Sequence, residues 1–132
     1  MNISEKEPPK RPRILVVDDD PIHLKLFELL ADKLKVDADL ASSCFEAIDA
    51  IKVRKDFDLI LMDVKMPQVD GLVCTKRIRS LLSTEHHVPI IAVSAEAELD
   101  KHICEENMID DYMPKPFTLE QLREKIIKWL MS

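Results

Sequence analysis

The sequence predicts a single α/β domain, a five-stranded parallel sheet covered by helices on both faces. Three observations predict it. The runs ILVV (14–17), LILM (59–62) and VPIIAV (88–93) are almost continuously aliphatic, whereas a strand with one wet face would alternate. Segments of helical periodicity separate these runs. Each run also stops abruptly in polar residues, as a strand does when it reaches the edge of a covered sheet.

Residues 1–12 carry Pro8, Pro9 and Pro12 among charges and read as a flexible lead-in, which leaves 13–132 as the domain. The first strand is the 14–17 run. The first helix follows Pro21, a residue suited to a first helical turn, and is expected to bury Ile22, Leu26, Leu29 and Leu30. A second, weaker strand covers 36–40. The next helix opens with Ser43-x-x-Glu46, a capping box, and shows Cys44, Ile48 and Ile51 at helical spacing. The 59–62 run is the third strand. Asp70 is a good N-cap for a third helix carrying Leu72, Thr75, Ile78 and Leu82. The 88–93 run is the fourth strand, and a fourth helix is expected over about residues 96–107. A short strand at 111–113 precedes a fifth helix, opened by Thr118-x-x-Gln121, with Leu119, Leu122, Ile126 and Trp129 on one stripe.

Composition narrows the function. With 46% hydrophobic and 33% charged residues, the chain is a globular domain rather than a disordered one. A net charge of −6 with scattered Lys and Arg argues against nucleic acid as a partner. No aliphatic run is long enough to cross a bilayer, and the N-terminus lacks the apolar stretch of a signal peptide. Cys44, Cys74 and Cys104 form no Cys-x-x-Cys motif; they are expected as small unpaired apolar residues on three successive helices, in a reducing, cytoplasmic setting. His86 and His87 are expected in a solvated loop.

The ends of the strands carry the chemistry. In a parallel sheet, Asp18, Asp19 and Asp20 after the first strand, Asp63 after the third, Ser94 after the fourth and Lys115-Pro116 after the fifth gather at one edge. Asp20, ahead of Pro21, serves as an N-cap, but capping does not account for Asp18 and Asp19. Carboxylates crowded with Asp63 in a partly buried site repel, and a hard cation such as Mg²⁺, bound through carboxylates and a phosphate, removes the conflict. Lys115 supplies positive charge for a phosphoryl oxygen and Ser94 a hydroxyl. Together these groups describe a site for phosphoryl transfer, where catalysis is mostly positioning and charge stabilisation.

The stretches VVDDDP, LILMDVKMPQVDG, IIAVSAEA and DYMPKPF, in this order, resemble the receiver domain of two-component response regulators over about residues 13–130. Their wording is most similar to receivers of hybrid sensor kinases and phosphorelays. The resemblance implies a flavodoxin-like fold with strand order 2-1-3-4-5 and Asp63 as phosphoacceptor. It implies Mg²⁺ (with Mn²⁺ as a substitute) on Asp19 and Asp63, the carbonyl of Lys65 and, through water, Asp18. Lys115 would contact the phosphoryl group, Ser94 and Tyr112 would form a conformational switch, and the bond before Pro116 would be cis. The expected partners are a sensor or hybrid histidine kinase, a histidine phosphotransfer protein, or both. A second copy or a downstream protein would dock on the fourth helix, fifth strand and fifth helix.

Such a module is a phosphoacceptor that catalyses its own phosphorylation and dephosphorylation, not an enzyme with a separate substrate. Lys65 and Glu96, each two residues beyond a site residue, are expected at the site mouth. Where this family commonly has a glycine shortly before the switch aromatic, this chain has Met108. Its single glycine, Gly71, is expected to meet either a positive φ or a close backbone approach. A small aspartyl-phosphate phosphatase lacks room here for a cap domain. A pseudo-receiver would lack one of the acids or the lysine. A flavin carrier would not place three aspartates where a phosphate must sit.

Overall fold

The computed structural model describes residues 11–66, 69–83, 86–95 and 101–130. Along the chain run β1 (Arg13–Val17), α1 (Pro21–Leu34), β2 (Asp37–Ala41), α2 (Cys44–Val53) and β3 (Leu59–Asp63). Then follow α3 (Gly71–Leu81), β4 (Ile90–Ser94), α4 (Lys101–Glu106), β5 (Asp111–Pro114) and α5 (Leu119–Leu130). The strands form one sheet in the order β2-β1-β3-β4-β5, every pair parallel. This is the predicted doubly wound, flavodoxin-like arrangement. No described helix is long and apolar enough to cross a membrane.

The continuous aliphatic runs are explained by the two-residue period of a strand. In β1, Leu15 and Val17 face one layer and Ile14 and Val16 the other; in β3, Ile60 and Met62 oppose Leu59 and Leu61. The first layer is filled by Ala47 and Ile51 of α2 and Ile78 of α3. The second is filled by Phe27 of α1 with Leu122 and Ile126 of α5. Both faces of the central strands therefore lose water, and no position in them tolerates a polar residue until the edge is reached.

The expected caps are present. Asp20 accepts from the Ile22 N–H, Ser43 from Glu46 and Asp70 from Val73. Thr118 and Gln121 bond each other's backbone N–H reciprocally. The Glu46 carboxylate reaches back to the N–H and hydroxyl of Ser42, one residue before the cap.

Two expectations are corrected. On α1, Ile22, Leu26 and Leu29 are exposed at 74%, 48% and 61%; the inward stripe is Leu24, Phe27, Ala31 and Leu34, with Leu30 at its margin. Both stripes have helical spacing, so periodicity alone does not choose between them. Packing does, because the Phe27 ring lies against Phe117 with centroids 5.6 Å apart.

The cysteines lie on α2, α3 and α4 as expected, but Cys44 and Cys74 are joined in a disulfide, with Cα atoms 5.7 Å apart. Helices α2 and α3 flank each other on one face of the sheet, so a spacing of one strand-plus-helix unit brings the two thiols together. The unpaired reading fails for these two residues, and the inference of a reducing compartment loses its support.

His86 and His87 lie exposed in a loop, as expected, and His87 is also paired. Its Nε2 lies 2.7 Å from Asp110 Oδ1, and the other Asp110 oxygen accepts from Arg79 Nη2 at 2.6 Å and from the Ile90 N–H at 2.8 Å. This cluster joins α3 to the amino ends of β4 and β5.

Gly71 has no positive φ. A Cβ there would stand 2.2 Å from the Asp63 carbonyl oxygen and 2.7 Å from the Val64 Cα, so the single glycine serves close approach. Among the described residues the left-handed positions belong to Lys35 and Met108, with φ of 61° and 60°.

Candidate functional site

Four strand ends meet at the carboxyl edge of the sheet. Asp18 follows β1, Asp63 closes β3, Ser94 closes β4 and Lys115 follows β5. Backbone bonds extend the ladder past the strands: Asp18 N–H to the Ala41 carbonyl (3.0 Å), Val64 N–H to Val93 (3.1 Å) and Lys115 N–H to Ser94 (2.9 Å). These bonds hold the side chains on strand-like geometry, which is more rigid than a free loop. Gly71 adds to this by letting the first turn of α3 press on the backbone of Asp63 and Val64, where its N–H donates to the Val64 carbonyl at 2.8 Å.

Carboxylate oxygens of Asp18, Asp19 and Asp63 all lie within 4.8 Å of one another. Lys115 Nζ is 3.0 Å from Asp18 Oδ2 and 3.5 Å from Asp63 Oδ1. The side chains of Asp18 and Asp63 are 4% and 7% exposed, so their charges are poorly hydrated. At this separation, with an effective dielectric near 20, two such charges repel by roughly 3 kcal/mol. Burial and the neighbouring Asp18 charge push the Asp63 carboxyl up to about 6, against the opposing pull of Lys115 and the Lys65 N–H. Burial would also raise Asp18, but the Asp20 N–H, Lys115 and His23 outweigh it and hold Asp18 below its usual range.

One lysine is shared between two buried carboxylates beside a third. This donor set of hard oxygens with excess negative charge fits Mg²⁺, and the strain on Asp63 is what a divalent cation would relieve. Asp63 Oδ1 also accepts from the Lys65 N–H at 3.3 Å, which turns the chain after β3 around the carboxylate.

Ser94 is buried, one position beyond the residue paired with Asp63. Tyr112 lies opposite Ala92 in β5 and is 45% exposed. The Lys115–Pro116 bond is cis, as the resemblance implied. Lys65 is exposed beside the site. Glu96, expected opposite it, and the start of the fourth helix lie outside the described residues.

Sequence reasoning missed His23. Its Nδ1 lies 3.0 Å from Asp18 Oδ2 and 3.2 Å from Lys115 Nζ, and its Nε2 is 3.4 Å from Asp20 Oδ2. A signal was available, since the third residue after an N-cap sits on the helix turn that faces the cap.

Comparison with known proteins agrees with this geometry. A family model described as the response regulator receiver domain matches residues 14–127. The sensor histidine kinase GacS of Pseudomonas protegens is 35% identical over 123 residues, which is 91% of this chain but 13% of that protein. The chain thus spans a small part of that relative. Among solved structures, the receiver domain of a Pseudomonas aeruginosa sensor histidine kinase, with magnesium in its active-site cleft, is 29% identical. Its TM-score is 0.81, covering 93% of this chain and 100% of that one. A Saccharomyces cerevisiae response regulator receiver domain, co-crystallised with its histidine phosphotransfer protein, is 27% identical. The likeness covers 95% of this chain and 92% of that one, at a TM-score of 0.80.

Proposed function

The chain belongs to the response regulator receiver family, and on that premise we propose that it takes a phosphoryl group from a phosphohistidine partner onto Asp63. The reading rests above all on Lys115, held between the buried Asp18 and Asp63 carboxylates at the carboxyl edge of the sheet.

Raised only to about 6, Asp63 is ionised at neutral pH and available as a nucleophile. One of its oxygens bonds to phosphorus as the bond from phosphorus to the donor imidazole nitrogen breaks. The electron pair stays on that nitrogen, and the product is a mixed carboxylic–phosphoric anhydride. Lys115, already 3.5 Å from Asp63 Oδ1, donates to a phosphoryl oxygen, and Ser94 offers its hydroxyl to another. Asp18, Asp19, Asp63 and the Lys65 carbonyl would hold Mg²⁺, which when bound offsets negative charge on the phosphoryl oxygens. Water attacking phosphorus breaks its bond to the Asp63 oxygen, releases inorganic phosphate and restores the free carboxylate, so gain and hydrolytic loss of the group both belong to this site.

The exposed Ile22, Leu26 and Leu29 form an apolar face on α1 next to the site. We assign it to a histidine phosphotransfer protein. The yeast receiver crystallised with such a protein supports the kind of partner, and the adjacency of α1 to Asp18 supports the face. Output is assigned to the surface of α4, β5 and α5. There Ser94, drawn to the phosphoryl group, and Tyr112, turning inward from its exposed position, shift the balance between two conformers toward one that binds a second copy or a downstream protein.

Incubation with acetyl phosphate and Mg²⁺ should add one phosphoryl group by intact mass, and Asp63→Asn should abolish the addition. Labelling that survives in that variant would sink the assignment. Leu26→Glu should slow transfer from a phosphorylated histidine phosphotransfer protein while leaving the rate with acetyl phosphate unchanged. Equal effects on the two donors would remove α1 as the docking face.

A further inference from the structure

The Cys44–Cys74 disulfide has no part in the phosphotransfer scheme, yet it lies at the same end of the sheet as the acids. Cys44 is the first residue of α2 and Cys74 belongs to the first turn of α3, and both helices start from the carboxyl edge. Building on the Mg²⁺ site of the reading above, we propose that this cysteine pair is a reversible thiol–disulfide modification site. Its redox state sets the affinity of the carboxylate cluster for Mg²⁺.

The direct pairing of β1 with β3 ends at Val17 and Met62, one residue short of Asp18 and Asp63. Beyond that point the backbone around each acid is held by other segments. The Asp18 N–H donates to the Ala41 carbonyl, and only Ser42 and Ser43 separate Ala41 from Cys44. That link is stiff, because the Glu46 carboxylate accepts from both the N–H and the hydroxyl of Ser42. On the other side, the Gly71 N–H donates to the Val64 carbonyl and the Cys74 N–H to the Asp70 carbonyl, with Gly71 pressed on the Asp63 backbone. The Sγ–Sγ bond joins these two supports. Val17, Met62 and Met66, which flank Asp18, Asp63 and Lys65 in sequence, pack in the same apolar cluster as the two cysteines. Without a cation the crowded carboxylates repel, and a crosslink behind them resists their separation. A site held together before the metal arrives binds it more tightly, because less ordering is left to the binding step. Breaking the crosslink lets the first turns of α2 and α3 part and the acids relax.

The chemistry is ordinary thiol–disulfide exchange. The thiolate of a small thiol attacks Sγ of Cys44, the less buried of the two residues. The Sγ–Sγ bond breaks, and its electron pair leaves on Cys74, which takes a proton from solvent. A second thiolate attacks the small thiol's sulfur in the mixed disulfide and releases Cys44. Two small thiols become one small disulfide, the protein gains two electrons and two protons, and a small disulfide reverses both steps. Cys74 is wholly buried, so attack requires the first turn of α2 to open, and the pair responds to sustained redox conditions.

The test compares the full chain oxidised and after reduction with dithiothreitol, with thiol counts and circular dichroism establishing redox state and folding. Calorimetric Mg²⁺ affinity should fall about fivefold on reduction, the loss expected when ordering of the acids moves to the binding step. By reciprocity, saturating Mg²⁺ should make the disulfide harder to reduce by the same factor, about 20 mV toward more negative potential in a glutathione titration. The maximal rate of phosphorylation by acetyl phosphate at saturating Mg²⁺ should stay the same, because the metal then holds the acids together. Cys44→Ala combined with Cys74→Val keeps the core filled without a crosslink and stands in for the reduced state if reduction unfolds the wild type. It should bind Mg²⁺ about fivefold more weakly than the oxidised wild type, with or without dithiothreitol. A disulfide that adds only global stability predicts equal Mg²⁺ affinity in every folded form. That result, a potential insensitive to Mg²⁺, or a loss confined to the maximal rate would each overturn the proposal. Redox-dependent Mg²⁺ binding in a protein that never takes up a phosphoryl group would instead overturn the phosphoacceptor reading alone, and oxidised protein that binds no Mg²⁺ would overturn both.

Discussion

Removing the Asp63 charge should stabilise the protein when no metal is present, although Asp63 lies at the centre of the site. Its carboxyl is raised from 3.8 to about 6, so the folded state disfavours the ionised form. At about 1.4 kcal/mol per pH unit, this corresponds to roughly 3 kcal/mol at neutral pH. The sign follows from proton binding. Between about pH 4 and 6 the folded chain binds more protons at Asp63 than the unfolded chain, so this group's contribution to stability falls as pH rises through that window. Below pH 4 the carboxyl is protonated in both states and the penalty vanishes. Asp63→Asn has nearly the same shape and no charge, so it should gain the full amount above pH 6 and nothing near pH 4. With an m-value on the order of 2 kcal/mol per M, the urea midpoint at pH 7.5 in chelator should rise by about 1.5 M. Added Mg²⁺ should then narrow the gap, because the wild type has the better ligand set. A variant no more stable than wild type at pH 7.5, or a gain that persists at pH 4, would refute the electrostatic account of the site.

Gly71→Ala should cost about 2 kcal/mol in urea denaturation, because overpacking against the Asp63 backbone outweighs the better helix propensity of alanine. A variant as stable as wild type would show that α3 can retreat freely. Met108→Gly should gain about 0.5–1 kcal/mol, since Met108 holds a φ of 60° with its side chain largely exposed. A loss there would mean that the Met108 side chain contributes packing that its exposure hides. Under denaturing, non-reducing conditions the chain should titrate one thiol, Cys104. Reduction should lower stability by about 3–4 kcal/mol, the loop-entropy value for the separation of 30 residues between Cys44 and Cys74. Three titratable thiols in protein never exposed to reductant would remove the crosslink.

Much of the fold was legible because its signals are local. A run such as LILM ending in Asp63 records, residue by residue, that both faces of a central strand are dry and where that dryness stops. Caps at Asp20, Ser43, Asp70 and Thr118 are equally local, since each side chain bonds a backbone group two or three residues away. Even the gathering of Asp18, Asp63, Ser94 and Lys115 needs only the rule that parallel strands end on one edge.

What escaped depends on contacts between distant segments. The inward face of α1 was chosen by Phe27 meeting Phe117, two rings 90 residues apart in sequence with no mutual periodicity. The disulfide needed α2 and α3 to lie side by side, and the bond from His87 to Asp110 needed the amino ends of β4 and β5 to close. Gly71 could be flagged as special from its rarity, but only the packing of α3 on Asp63 shows that space, not φ, excludes a side chain there. His23 became part of the site because a helix turn and two strand ends converge on one oxygen of Asp18. The sequence by itself determined which elements form and which edge carries the chemistry, because hydrophobic period and capping act over a few residues. Tertiary structure alone decided which helix face is buried, which thiols meet and which groups share a charge, because those outcomes depend on distances that only the packed chain defines.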